Sequence, residues 1–99
     1  MQFSERERRQ LEQLKDRLLR YESGSLPLAT LISEVDFLVE SLEEVPADQR
    51  AALRREWSVL EEVYADALDR GGRELSDESE SLADRTVQKL TQLIAEIEV

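Results

Sequence analysis

Apolar residues return every three or four positions through most of the chain, in four stretches divided by Gly24, Pro46 and the pair Gly71-Gly72. That period stacks side chains on one face of an α-helix, so each stretch is predicted to be a helix with one buried face. In the first, over residues 4–22, Ser4 is the expected N-cap and Glu7, three positions on, completes a capping box; Leu11, Leu14, Leu18 and Tyr21 form the stripe. Gly24 then suits the left-handed position that ends a helix.

The second helix is predicted over 26–44, with Ser25 and Pro27 at its first turn and a wide apolar face of Leu28, Leu31, Ile32, Val35, Leu38, Val39 and Leu42. Such width points to a central helix. The third, over 46–70, takes Pro46 into its first turn, where no amide is needed, and buries Leu53, Trp57, Leu60, Tyr64, Ala67 and Leu68. The fourth, over 77–98, is capped by Ser76 or Asp77 and buries Leu82, Thr86 or Val87, Leu90, Leu93, Ile94 and Ile97. No strand alternation or internal repeat competes with this pattern. Short connections between helices favour antiparallel neighbours, so the expected fold is all-α, an up-and-down four-helix bundle. At 99 residues, one domain over 1–99 is expected, since halves would be too small to bury a core.

Composition narrows the function classes. There is no cysteine, hence no disulfide and no thiolate metal site, and no histidine, so the commonest general base and metal ligand is missing. No catalytic residue, metal site or cofactor is predicted, and a binding protein is expected rather than an enzyme. The charged start and the absence of a long apolar run predict neither signal peptide nor membrane span, and a cytoplasmic protein.

The net charge of −10 is unevenly spread. Residues 1–20 carry six bases against four acids, and 21–49 carry seven acids and no base. Residues 61–84 carry nine acids against Arg70 and Arg73, a net of −7. This field repels nucleic acid and anionic lipid and attracts a basic protein surface. The acidic run Glu61, Glu62, Asp66, Asp69, Glu74, Asp77, Glu78, Glu80 and Asp84 is therefore the candidate partner-binding surface; its core is the first eight. Glu62, Asp66 and Asp69 share one helix face, where like charges weaken the helix and oppose its C-terminal dipole. The plainer reading is a solubilising face with capping acids in the following loop.

Three other patterns bear on chemistry. Residues 69–80 have acids at the first, ninth and twelfth positions of a calcium loop, but Gly71 and Arg73 occupy ligand positions and Glu74 replaces the turn glycine. A C-cap followed by an N-cap is expected there instead. Glu40-x-x-Glu43 and Glu74-x-x-Asp77 match the paired-carboxylate words of helical, magnesium-dependent nucleotide pyrophosphohydrolases, a remote alternative because short acidic words arise easily among 23 acids. Trp57, the only tryptophan, is expected in the core, with an interface anchor as the alternative.

The run Tyr21-x-x-Gly24-x-Leu26-x-Leu28-x-x-Leu31-Ile32, followed by Trp57-x-x-Leu60-Glu61-x-x-Tyr64-Ala65-x-Ala67-Leu68-Asp69, resembles the small helical immunity proteins of bacterial contact-dependent growth inhibition and related polymorphic toxin systems. The resemblance covers most of the chain as a pattern of apolar and aromatic positions. It implies a stoichiometric inhibitor of a cognate toxin domain, often a nuclease, made by the same bacterial cell. A basic nuclease site is a fitting target for an acidic face. The competing expectation is a structural or regulatory module that forms a homodimer through the apolar face of the second helix or the Leu11-Leu14-Leu18 stripe.

Overall fold

The computed structural model describes residues 3–71 and 75–98. They form four helices, α1 (Glu5–Glu22), α2 (Leu28–Glu40), α3 (Ala47–Asp69) and α4 (Asp77–Glu98), and no strand. Helix α1 packs on α2 and α4, and α3 packs on α2 and α4, with no contact across either diagonal among the described residues. This is the up-and-down bundle the periodicity predicts, with one core cluster shared by all four helices.

The core is aliphatic around one indole. Leu11, Leu14 and Leu18 of α1, Leu31, Val35, Leu38 and Val39 of α2, Leu53, Trp57, Leu60 and Val63 of α3, and Val87, Leu90, Ile94 and Ile97 of α4 are all buried. Ala83 and Thr86 are buried too. The small Ala83 leaves room for close helix approach, and the Thr86 hydroxyl is satisfied by donating to the Leu82 carbonyl at 2.8 Å.

Gly24 closes α1 as expected. It has φ +82°, its N–H donates to the Tyr21 carbonyl at 3.0 Å, and the Ser25 N–H donates to the Arg20 carbonyl at 2.8 Å. This pair of bonds is the Schellman arrangement, which needs a left-handed residue at that point. Gly71, at φ +100°, follows the C-cap Arg70 in the same way.

Four expectations are corrected. Helix α2 is not central: with 13 residues it is the shortest helix and borders only α1 and α3, so its wide face serves two neighbours and leaves Leu28 and Ile32 half-buried. Both Pro27 and Pro46 stand at the N-cap, outside the helices they precede, in extended conformation at ψ 151° and 147°. Leu68 is 53% exposed rather than buried, and Leu82 is 39% exposed. At 1.5 Å per residue the 13 residues of α2 are too short to flank all 23 of α3, so the last turns of α3 lack cover there.

The fourth correction is that α2 stops at Glu40 instead of running to 44, and the cause is Glu7. Its side chain lies in phase with Leu11, Leu14 and Leu18 and is fully buried. One of its oxygens accepts the backbone N–H groups of Glu43 (3.0 Å), Glu44 and Val45 (3.1 Å). Those amides would otherwise continue the helix ladder of α2. The capping box is thus split: Ser4 Oγ accepts the Glu7 N–H at 3.2 Å as expected, but the Ser4 N–H donates to Glu44 Oε1 at 2.7 Å and the Ser4 hydroxyl to Glu44 Oε2. Two glutamates, one on each side, lock the start of α1 to the α2–α3 loop, while Leu42 and Val45 of that loop enter the core.

Candidate functional site

The predicted acidic surface lies where α3 ends and α4 begins. Glu61, Glu62, Asp66 and Asp69 are exposed on the last turns of α3, and Asp77, Glu78 and Glu80 are exposed on the first turn of α4. Glu74 lies outside the described residues. The turn of chain between the helices therefore brings the two halves of the run to the same end of the bundle.

Local helix physics accounts for only three of them. Ser76 is the N-cap of α4, accepting the Ser79 N–H at 3.2 Å, and Asp77, Glu78 and Glu80 sit at the positive end of the α4 dipole where acids are stabilising. Asp66 and Asp69 sit at the negative end of α3, where acids are unfavourable. Among the described residues of the run, Asp66 alone has a cation within ion-pair reach, Arg70 at 3.3 Å.

Elsewhere some acids are matched, while Glu22, Asp36, Asp48, Glu56 and Glu96 have no ion pair among the described residues. Glu5 pairs with Arg9, Lys15 with Glu12 and Glu98, Arg17 with Asp16 and Glu34, and Arg54 with Glu40. The Arg54 guanidinium holds the Glu40 carboxyl below its ordinary range, as the Lys15 ammonium holds that of Glu12. Pairs thus offset charge along α1 and part of that of α2, whereas at the α3–α4 end the exposed acids of both helices meet with one ion pair among the described residues.

This end also carries apolar and aromatic surface. Tyr21 of α1 joins Leu75, Asp77 and Glu80 around a shallow groove of about 450 Å³. Partial burial, with the Asp84 and Glu80 carboxylates nearby, raises the Tyr21 phenol above its ordinary value. A second groove runs along α4 past Asp77, Glu78, Ser81, Leu82 and Arg85. Exposed Leu68 belongs to the same end of α3. Among the described residues no three of the acids converge as metal ligands would. What the surface can do chemically is accept ion pairs and hydrogen bonds over several turns of helix, with leucines between them.

The competing sequence patterns fall in different places. Glu40 ends α2 and bonds Arg54, whereas Glu43 lies in the loop beside Arg6 at 3.9 Å, so the two share no helix face; Glu74 of the other carboxylate word lies outside the described residues. The stretch 69–80 has a helix end at Arg70-Gly71 and a capped helix start at Ser76 on either side of its undescribed centre. Trp57 is 3% exposed and belongs to the core, with its indole N–H buried and without a partner among the described residues. The two apolar stripes offered for self-association, on α1 and α2, are consumed by the intramolecular core.

Sequence reasoning missed the Glu7 and Glu44 clasp. The available signal was phase: Glu7 lies four residues before Leu11 on the core-facing stripe, where an acid needs a partner. No family model matches the chain, and no match to it is found among curated proteins or solved structures.

Proposed function

We propose that this chain is a binding protein, not a catalyst, that docks the acidic α3–α4 end of its bundle on a basic surface of another protein. The single observation that carries the reading is the standing charge of Glu61, Glu62 and Asp69, exposed acids without an ion-pair partner among the described residues, at the same end of the bundle as exposed Asp77, Glu78 and Glu80. Two of those carboxylates gain nothing from a helix N-terminus, and Asp69 opposes its own helix dipole, so stability does not explain their placement. Exposed Leu68 and Leu82 give such a surface something to bury once charge has steered the encounter. With the resemblance to immunity proteins, the specific role proposed is stoichiometric inhibition of a toxin domain with a basic site, a nuclease being the fitting class, in the cytoplasm of the producing bacterium.

The test is the rate of association with the toxin domain encoded beside the gene, measured over a salt series. Replacing Glu62, Asp66 and Asp69 together by Lys should slow association by roughly tenfold or more while leaving the melting temperature near wild type, because electrostatic steering acts on the on-rate. Wild-type association should slow as salt rises. The control replaces Asp36, Asp48 and Glu96, exposed acids away from the α3–α4 junction, by Lys. Equal rates for both triple variants, or rates indifferent to salt, refute a docking role for this end.

A further inference from the structure

In a chain where 36% of residues are charged, residues 23–33 carry no charge at all. Structurally that run enters α2, and its exposed positions Ala29, Thr30 and Ser33 lead one turn on to Phe37, which is 70% exposed. Ala29, Ser33 and Phe37 are spaced by four, so they form one outward stripe. The Ser33 hydroxyl is turned back to the Ala29 carbonyl at 3.3 Å, which lowers the polarity the stripe presents. Beside Phe37, between α1 and α2, lies a groove of about 340 Å³ lined by Gln13, Arg17, Ser33, Glu34, Phe37 and Leu38. An aromatic knob and a groove therefore sit side by side on one face.

We propose that this face of α2 is a self-association surface, and that its occupant is a second copy of this chain. A two-fold axis places the same patch on both sides, so a face holding both a knob and the groove next to it can satisfy both at once: each Phe37 enters the partner's groove. The groove rim has both signs of charge, Arg17 lying 3.0 Å from Glu34 within one copy, and under the same axis the cation of one rim meets the anion of the other. Ala29, Thr30 and Ser33 bring no charge to the contact, whereas Asp36 and Glu40 flank Phe37 and, with the net charge of −10, oppose the approach of two copies when salt is low. The acidic α3–α4 end stays free in such a dimer, so the inference does not depend on the function proposed for that end.

Salt separates this association from docking on a basic partner. Screening reduces repulsion between the two −10 chains while leaving the aromatic contact intact, so dimerisation should strengthen as salt rises. The experiment is sedimentation equilibrium of the full chain from micromolar to millimolar concentration, at low and moderate salt. Wild type should rise toward twice the monomer mass, more completely at the higher salt. Phe37→Gln, which keeps helix propensity and removes the knob, should remain monomeric through the same range with an unchanged melting temperature. Ser33→Gln, which fills the groove from its exposed side, should do the same. A wild type that stays monomeric at millimolar concentration overturns the proposal, and so does a Phe37→Gln variant that dimerises as wild type does.

Discussion

Replacing Glu7 by Ala is the most informative single perturbation of this fold. The side chain is completely buried and one carboxylate oxygen accepts three successive backbone N–H groups, those of Glu43, Glu44 and Val45. Alanine leaves all three donors without their acceptor. A buried donor left unsatisfied costs about 1–3 kcal/mol, and bonds to a charged acceptor lie toward the upper part of that range. Three fully orphaned amides would sum to more than a single substitution ordinarily removes, but the vacated space lets the loop shift or admit water, so the lower end applies to each. The expected loss is roughly 3–5 kcal/mol, a large share of the roughly 5–15 kcal/mol that holds a domain of this size together.

The assay is thermal and urea unfolding followed by circular dichroism, with amide hydrogen exchange at residues 43–45 as the local readout. At about 4–8 °C per kcal/mol the melting temperature should drop by at least 12 °C. Glu7→Gln keeps the volume and one carbonyl oxygen but turns an NH₂ toward donors, so it should fall between wild type and Glu7→Ala. Glu44→Ala removes only the exposed return contact to Ser4 and should cost less than either. If Glu7→Ala melts within about 3 °C of wild type, less than the shift expected from 1 kcal/mol, with exchange at 43–45 unchanged, the carboxylate does not hold the loop and the explanation for the early end of α2 fails.

Two further outcomes are expected. Trp57→Ala should cost about 3–5 kcal/mol as a large core truncation, whereas Trp57→Phe should cost much less, because the indole N–H it removes has no partner among the described residues; equal losses in urea unfolding would show that the nitrogen is bonded after all. Acid should destabilise the protein through Glu44, whose carboxyl is held below its ordinary 4.5 by the Ser4 hydroxyl and N–H. A carboxyl depressed in the folded state stabilises fully above its unfolded value and loses that contribution as pH falls through the folded one. Melting temperature should therefore decline less steeply below that value in Glu44→Gln than in wild type, and identical pH profiles would remove Glu44 from the acid response.

How much of this was legible in the sequence depended on whether the deciding partner was near or far along the chain. Gly24, the Ser4 cap, the Ser76 cap and the leucine stripe of α1 are settled within one or two helical turns, and all stand where the spacing predicts. Burial at α3 was less readable: Leu68 is in phase with Trp57, yet it is exposed because α2 is too short to reach it, a fact about another helix's length. The acidic end was legible as a run of charge, but the partial matching of the acids on α2 needed the pairs that Arg17 makes with Glu34 and Arg54 with Glu40, seventeen and fourteen positions apart.

The end of α2 is the sharpest case, because two local signals there were both correct in kind and still gave the wrong boundary. Leu42 does follow Leu38 and Val39 in helical phase and is buried as that phase requires. Glu7 does stand three residues after an N-cap serine that bonds its amide. A capping box would spend the Glu7 carboxylate within its own first turn, and an unbroken helix would spend the amides of Glu43 and Glu44 on the carbonyls behind them. The fold instead exchanges partners, giving Glu7 to the loop and Glu44 to Ser4. Each local solution leaves an acid on the core face of α1 with too few donors, whereas the exchange supplies three amides to the buried carboxylate and ties two helix ends with one residue from each. A charged residue in phase with a hydrophobic stripe is thus better treated as a demand for distant donors than as a local cap, and the segment that supplies them is the one whose regular structure ends early.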